Sequence, residues 1–480
     1  MFKIFIMKKQ ILLGAAFLFA ASMTFAQQNG NRDDCADCSI PQLECMDCSF
    51  EQLESGLRGA DINTSLVDQD GIANIAIVDQ FGDGNFSTIK QDGQMDASGG
   101  VENEAYVDQY GIKNHSDIKQ SGNYNLGIVD QYGTENYAKQ DVGVGWAENN
   151  DAYAYQSGEG NTSFQKQRYD NNEAGVVQDG EGNYAEQNQS SRANAVAGST
   201  AWIHQFETSN EAKQMQRGSY NFAFAYQDGE GNTSSEDQMS DAGGMSANDS
   251  WTFQFGAWNL SCVTQEATGD AYNFSGVGQK GYSNKSYVNQ YASDGENSSI
   301  VYQGTLWNYS SNNNVSKVNQ YTENGENGSF VWQVGTLNES TVNQYAMDAS
   351  NDSSVTQFGY KNVSGVDQSA TDGASNGSTV FQTGYGMGGT NFSAVNQTAD
   401  GDESWNESSV EQYGFENISC VDQNAIGGFN NNSTVYQLGM KNQSYVNQNA
   451  ISASNTSDVN QMGNGNLSCV TQVGTTNLSF

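Results

Sequence analysis

The stretch QLGMKNQSYVNQ, residues 437–448, is repeated with small variations along most of this chain of 480 residues. It reads as a turn followed by a short strand, because Asn, Ser, Val and Gln occupy alternate positions and Gly439 stands two residues after Gln437. Alternate residues of a strand share one face. The pattern therefore predicts a small, uniform face as the interior and a variable face toward solvent.

The Gln that closes each strand sets the count of repeats. There are 33 such positions from Gln69 to Gln472, and in 31 of them Asn stands six residues earlier; the exceptions are Gln140 and Gln205. From Gln254 onward, short and long steps between closing Gln residues alternate, with two enlarged short steps. Tight turns and longer turns therefore alternate, and the insertions of the first half are expected at the long-turn edge.

Two strands and two turns make one rung, which can bury its uniform face only by stacking on the next rung. The sequence therefore predicts an all-β fold, a two-sheet β-solenoid of about 16 strand-turn-strand rungs with amyloid-like Asn and Gln ladders. Val and Ile between the amides are expected to fill the space between the sheets. The predicted structural ladder includes Asn362, Gln368, Asn417, Gln423, Asn442, Gln448, Asn466 and Gln472.

The amino-acid composition and the net charge limit the classes of molecule that this chain could bind. Pro occurs once, Lys and Arg together number 19, and the formal net charge is -37. This charge argues against nucleic acid as a partner, since phosphate binding requires clustered Lys and Arg. Asp stands just before the closing Gln in several strands, and these carboxylates would repel one another if stacked in line: Asp68, Asp79, Asp108, Asp130, Asp367 and Asp422.

Residues 1–26 have the features of a signal peptide. Lys8 and Lys9 precede an apolar run from residue 11 to residue 21, and Ala26 precedes a plausible cleavage point. No later segment could span a bilayer as a helix. The predicted organisation is a signal peptide at 1–26, a Cys-containing segment or linker at 27–60 and a repeat domain at 61–480, in a protein exported to the extracellular space or cell surface.

The seven cysteines fall into two groups. A C-x2-C-x6-C-x2-C cluster precedes the repeats: Cys35, Cys38, Cys45 and Cys48. In an exported chain the cluster favours disulfides or other thiol chemistry, with a site of four thiolates for a metal as the alternative. The others lie between Ser and Val of a repeat and are expected to be isolated substitutions on the variable face: Cys262, Cys420 and Cys469.

Signs of catalysis are missing from the sequence. His115 and His204 are the only histidines, they fall in different strands, and neither has a nucleophile in register. We expect two inert surface histidines and a protein that is not an enzyme and needs no cofactor.

The repeats resemble the curlin family, the amyloid-forming fibre subunits of bacterial curli. The family repeat is Ser, five residues, Gln, four residues, Asn, five residues and Gln. Residues 69–91 match its spacing in register over two units, Gln69-x4-Asn74-x5-Gln80-x4-Asn85-x5-Gln91, and the resemblance covers about residues 61–480. This chain departs from the family in its many repeats, in Asn where the family has the leading Ser, and in its Cys cluster.

The resemblance implies an exported structural subunit that self-assembles into extracellular curli-like amyloid fibres for cell adhesion and biofilm matrix. The implied partners are other copies of the chain, joined end to end, and a curli-type secretion channel and nucleator. Residues 27–60 stand where the family keeps its export signal. The alternative function is a monomeric β-solenoid surface adhesin that binds ice or polysaccharide, which would require a regular ladder on the outward face.

Overall fold

The computed structural model describes residues 63–93, 102–191, 197–241, 246–304, 312–384, 390–474 and 477–479, all within one compact unit, Asp34–Phe480. The predicted signal peptide and the Cys cluster lie outside the described residues. Every regular element in the described part of the chain is a β-strand. Among these residues no helix is present that has the length and apolar character to cross a membrane.

The strands follow one another at short intervals. The first seventeen are β1 (Thr64–Asp70), β2 (Ile75–Asp83), β3 (Phe86–Asp92), β4 (Glu104–Ile112), β5 (His115–Asn123), β6 (Leu126–Thr134), β7 (Tyr137–Glu148), β8 (Asp151–Glu159), β9 (Thr162–Arg168), β10 (Glu173–Glu181), β11 (Tyr184–Ser190), β12 (Thr200–Thr208), β13 (Glu211–Arg217), β14 (Asn221–Glu230), β15 (Thr233–Ser240), β16 (Ala247–Ala257) and β17 (Leu260–Thr268). The others are β18 (Tyr272–Tyr282), β19 (Lys285–Ser293), β20 (Glu296–Gln303), β21 (Val315–Glu323), β22 (Glu326–Thr336), β23 (Glu339–Met347), β24 (Ser350–Tyr360), β25 (Val363–Thr371), β26 (Ser375–Thr383), β27 (Phe392–Asp400), β28 (Trp405–Phe415), β29 (Ile418–Ile426), β30 (Asn430–Met440), β31 (Gln443–Ala450), β32 (Asn455–Asn464), β33 (Leu467–Val473) and β34 (Asn477–Ser479).

Each strand pairs in parallel with the strand two positions away in the chain. The odd-numbered strands form a first sheet of 17 strands, from β1 to β33, and the even-numbered strands form a second sheet from β2 to β34. Identical residues align across neighbouring strands, for example Val421 with Val446 and Gln423 with Gln448 between β29 and β31. The predicted two-sheet β-solenoid is therefore confirmed.

The two edges of the solenoid carry different turns, as the spacing predicted. The tight edge leads from an even strand to an odd strand, and the long edge leads from an odd strand to an even strand. Segments outside the described residues follow β3, β11 and β15 at the long edge. The two enlarged short steps follow β20 and β26 at the tight edge.

Glycine at the tight edge is required by the close approach of neighbouring rungs. Gly439 has a φ of 123°, and a Cβ atom on it would lie 2.0 Å from the carbonyl oxygen of Gly463 in the next rung. Only glycine meets both conditions without strain. Lys441 then takes a left-handed φ of 56° before the next strand begins.

The apolar interior changes character along the chain. From β17 to β33 one valine per strand forms a continuous valine core: Val263, Val277, Val288, Val301, Val318, Val331, Val342, Val355, Val366, Val380, Val395, Val410, Val421, Val435, Val446, Val459 and Val470. The earlier strands have smaller clusters of Ile, Val and Ala. Val and Ile fill the interior as predicted in the later strands, but not throughout the earlier ones.

Candidate functional site: the amide ladders of the interior

Glutamine side chains form one hydrogen-bonded column in each sheet. The Nε2 atom of a closing Gln donates to the Oε1 atom of the closing Gln in the next rung, at 2.8 Å from Gln423 to Gln448 and at 2.7 Å from Gln448 to Gln472. In the second sheet the same bond from Gln437 to Gln461 measures 2.8 Å. These amides are buried. Stacking at one strand spacing, about 4.8 Å, is what allows each amide to reach the next.

The glutamines also hold the two sheets together. Gln437 of the second sheet donates through Nε2 to the backbone oxygen of Ile418 in the first sheet at 3.0 Å. Gln448 of the first sheet donates in the same way to the backbone oxygen of Asn432 in the second sheet at 3.0 Å. Each amide thus serves both the column and the facing sheet, which leaves none of its N–H donors buried without an acceptor.

Asparagine columns line both edges and run in the opposite direction. The Nδ2 atom of Asn466 donates to Oδ1 of Asn442, in the preceding rung, at 3.0 Å. The backbone N–H of Asn442 donates to Oδ1 of Asn417 at 3.1 Å, and its Nδ2 atom donates to the carbonyl of Gly463 at 3.0 Å. An asparagine therefore secures the tight turn as well as the column, which explains why Asn recurs six residues before Gln.

All eight predicted ladder residues lie in these columns of the first sheet. Asn362 donates to Asn338 at 3.0 Å, and Gln368 donates to Gln397 at 2.8 Å. The others continue the same columns: Asn417, Gln423, Asn442, Gln448, Asn466 and Gln472. Gln205 lacks an Asn six residues earlier because Ser199 occupies that place in the column.

Small residues separate Asn from the apolar position on the inward face. In many strands this residue is Ser, and its buried hydroxyl has no hydrogen-bond partner, as at Ser364, Ser408 and Ser444. Ala takes the same position in β8 and β10, at Ala152 and Ala174. The position therefore requires small volume rather than a hydroxyl.

The assignment of Gln140 as a closing Gln is wrong. In β7, Val142 aligns with the closing Gln120 of β5, while Gln140 aligns with Ile118, two residues earlier. Asn136 stands six residues before Val142, so the Asn rule holds for the true closing position. The glutamine column is interrupted at Val142, and Oε1 of Gln167 in the following rung has no partner.

Gln140 instead begins an additional interior column in the first sheet. This column stands in the place that valine or isoleucine occupies in other odd strands. We call it the polar column: Gln140, Gln165, Gln187, Gln214 and Glu236. The spacing of the closing Gln residues does not reveal this column, although the pattern Gln-x-Gln, as at residues 165–167, 187–189 and 214–216, is the signal that could have revealed it. The column explains why apolar residues are fewer in the first-half interior.

Glu236 ends this column as a buried acid. Burial raises the pKa of its carboxyl group to about 7, and the hydrogen bond from Gln214 together with the nearby hydroxyl groups of Thr252 and Ser250 acts in the opposite direction. Among the described residues, Glu236 and Asp117 are the only acidic or basic side chains that are buried. Asp117 forms an ion pair with Lys139.

Three of these outward Asp residues do stack in line. Asp79, Asp108 and Asp130 align across β2, β4 and β6. Burial raises the pKa of Asp130, and the neighbouring Asp108 carboxylate contributes to the rise. The others have different neighbours: Asp68 pairs with Lys90 at 3.9 Å, and Asp367 and Asp422 flank Asn396.

The histidines and the described cysteines form no reactive cluster. His204 lies on the outward face of β12, where Trp202, Phe224 and Tyr226 partly cover it, and burial lowers its pKa. Within the described ranges, no group of three or more His, Cys, Asp or Glu residues could hold a metal ion.

Cys420 and Cys469 are free, as expected. Cys262 is instead disulfide-bonded, which corrects the expectation that it is isolated.

Two outward columns border a groove of about 410 Å³ on the first sheet. One column consists of amides joined Nδ2 to Oδ1 at 2.8 and 2.7 Å: Asn289, Asn319 and Asn343. The other consists of rings stacked at 4.9 and 5.1 Å between centroids: Tyr291, Tyr321 and Tyr345. We call this the asparagine–tyrosine groove. The sequence predicted a variable outward face, so the regular columns of this groove were not foreseen.

A family model matches the beginning of the described solenoid. The family model of the curlin associated repeat matches residues 63–93, which comprise β1, β2 and β3. A search of curated proteins found no match.

Proposed function

Because this chain carries the curlin associated repeat, we propose that it is an exported structural subunit that assembles end to end into extracellular curli-like amyloid fibres. The fibres would serve cell adhesion and biofilm matrix, and the chain would need a curli-type secretion channel and a nucleator as partners. The observation that carries the proposal is the match between the two ends of the described solenoid.

The first rung leaves inward residues uncovered. Val67 of β1 is 49 % exposed, whereas Val446, at the same place in β31, is fully buried. Among the described strands β1 pairs with β3 alone, so its other edge presents backbone N–H and C=O groups. An open, unpaired edge of this kind is a template for another strand.

The last complete strand of the first sheet, β33, offers the matching edge. If β1 of a second copy continued the sheet after β33, Ser65 would follow Ser468, Val67 would follow Val470 and Gln69 would follow Gln472. Each inward column would then continue with the same residue type across the joint. Such a head-to-tail contact does not close on itself and generates a filament.

Two substitutions on neighbouring residues of β1 test the proposal. Val67→Lys places a charge on the face that the joint would bury, whereas Leu66→Lys places the same charge on the outward face. We expect Val67→Lys to slow assembly of the mature chain at least tenfold, because an unpaired buried charge is unfavourable, and Leu66→Lys to have little effect. Sedimentation and fibre diffraction near 4.8 Å are the measurements. Equal assembly rates for the two variants would reject the end-to-end joint.

A second candidate function, surface adhesion to a polysaccharide, is favoured by the asparagine–tyrosine groove. Each Asn amide there uses one N–H and one oxygen lone pair along its column, which leaves a donor and an acceptor for hydroxyl groups. The tyrosine stack adds an apolar wall. The net charge of -37 excludes polyanions, so an uncharged polysaccharide is the ligand that suits the groove. Ice is less suitable, since the groove lacks a threonine ladder.

Binding to insoluble cellulose, with dextran as competitor, tests this second function. We expect Tyr321→Ala combined with Asn343→Ala to weaken binding about tenfold. The control, Tyr436→Ala combined with Asn432→Ala, removes the same residue types from the outer face of the second sheet. If both double variants bind as the unmodified chain does, the groove is not the binding site.

A further inference from the structure

The polar column replaces apolar packing with a directed chain of hydrogen bonds. Nε2 donates to Oε1 of the next residue at 2.9 Å from Gln140 to Gln165, and at 3.0 Å in each of the next two steps, which end at Gln214. Gln214 then donates to Oε2 of Glu236 at 2.9 Å. The next odd strand places Val263 beside Glu236, so the column ends there and the valine core begins.

Glu236 lies at this boundary with one oxygen unsatisfied. Its exposed fraction is 1 %, and Oε1 has no hydrogen-bond partner. From the facing strand β16 the hydroxyl groups of Ser250 and Thr252 approach the carboxyl group. The buried Ser250 hydroxyl likewise has no hydrogen-bond partner.

Among the described residues, those packed around the carboxyl group supply no positive charge. Gln214 of β13 and Val263 of β17 flank it in the first sheet, and Ser250 and Thr252 face it from the second sheet. The charged neighbours Lys213, Arg217 and Asp237 belong to the outward faces of β13 and β15. An ionised carboxylate at this place would therefore be buried without a cation, which is a costly arrangement.

We propose that protonation of Glu236 controls the closure of strands β13 to β17, so that this boundary is closed when the carboxyl group is neutral and opens locally when it is ionised. A neutral carboxyl group gains a donor, for which the Ser250 hydroxyl is an available acceptor, while Oε2 keeps its bond from Gln214. An ionised carboxyl group becomes fully hydrated only if the rungs separate. The boundary between the polar column and the valine core is thus a pH-sensitive joint within one chain.

The sign of the effect follows from the raised pKa. The folded state holds the proton more strongly than an ordinary carboxyl group, which titrates near 4.3. The protection of the backbone amides of β13 to β17 from hydrogen exchange is therefore greatest at low pH. It falls as the pH rises above about 4.3 and levels off above about pH 7. With a pKa of about 7 in the closed state and about 4.3 in the open state, the equilibrium constant for closure falls about 30-fold from pH 5.5 to pH 8.5.

Hydrogen exchange of the unassembled full chain tests the proposal without reference to fibres. Amide protection in β13 to β17, corrected for intrinsic exchange, should fall about 30-fold from pH 5.5 to pH 8.5. The isosteric Glu236→Gln cannot ionise and should lose little protection, whereas Glu266→Gln on the outward face of β17 should behave as the unmodified chain does. If Glu236→Gln fails to fold, Glu236→Val, which extends the valine core, replaces it.

Two outcomes would overturn the proposal. One is protection in the unmodified chain that does not change with pH, and the other is an equal loss in the Glu236 variants. Because the exchange is measured before assembly, neither outcome depends on whether the chain forms fibres.

Discussion

At the scale of single residues, the buried serines show that a repeated residue need not be a stabilising one. The hydroxyl of Ser408 is buried and has no partner, whereas the neighbouring Ser409 is on the outward face. A buried polar group without a hydrogen bond costs about 1–3 kcal/mol. The buried serine hydroxyl groups therefore lower the stability of the fold, although the small volume of serine suits this position.

We expect Ser408→Ala to stabilise the unassembled chain by about 1 kcal/mol, because it removes an unsatisfied hydroxyl and keeps the small volume. Ser409→Ala should change stability by less than about 0.5 kcal/mol. Urea unfolding midpoints measure both. A destabilised Ser408→Ala variant would mean that the hydroxyl has a partner in solution.

Glycine at the tight edge allows a prediction with an internal control. Gly439→Ala should destabilise the chain by more than about 2 kcal/mol, because the new Cβ would meet the Gly463 carbonyl oxygen at 2.0 Å and the φ of 123° is unfavourable for alanine. Gly465→Ala has a φ of 71° and no neighbour within 4 Å, so about 1 kcal/mol is expected. Equal losses in thermal unfolding would contradict the contact argument.

At the scale of the strand, the columns rather than the individual bonds are the structural units. Gln357 accepts from Gln333, donates to Gln382 and donates to the backbone oxygen of Glu339. Removing one such residue leaves three groups without partners. Gln461 is the last closing Gln of its column among the described residues, so fewer groups depend on it.

We therefore expect Gln357→Met to destabilise the chain by about 2–4 kcal/mol and Gln461→Met by roughly half as much. Methionine keeps the volume and removes the amide. Urea unfolding followed by circular dichroism compares the two variants. Similar losses at both sites would indicate that the bonds act singly and not as a column.

The strand scale is also where sequence reasoning succeeded most and where it failed. The spacing of Asn and Gln predicted the strands, their faces and the alternation of turns, because in a stacked repeat every local pattern is reinforced by the rungs above and below. It failed at Gln140, because Gln140 occupies the place of the apolar residue in β7 and Val142 occupies the place of the closing Gln, and counting glutamines cannot detect such an exchange within one strand. The alternation with Gln238 places Glu236 on the inward face, but its neighbours, Gln214 in one adjacent strand and Val263 in the other, depend on strand pairing and not on a local pattern.

At the scale of the whole molecule, net charge opposes the stacking that the interior favours. The chain carries -37, and Asp79, Asp108 and Asp130 stand one above another on its surface. Like charges on neighbouring rungs repel, and the repulsion between exposed groups is screened by salt. Joining two copies would add the same repulsion at every joint.

Assembly at pH 7 should therefore accelerate several-fold when NaCl is raised from 10 to 150 mM, since the screening length falls from about 30 to about 8 Å. Asp108→Asn, which relieves the stacked carboxylates, should reduce the dependence on salt. Light scattering at fixed protein concentration measures both rates. Assembly that slows with added salt would show that attraction between charges, and not repulsion, governs the joint.

The opposite directions of the Gln and Asn columns give the solenoid an intrinsic orientation. Toward one end the glutamine columns present N–H groups and the asparagine columns present oxygen atoms, and toward the other end the pattern is reversed. Two like ends brought together would set donors against donors and acceptors against acceptors. Any filament built from these columns would consequently have two chemically distinct tips, would admit new copies in one orientation only, and would elongate at different speeds from its two tips.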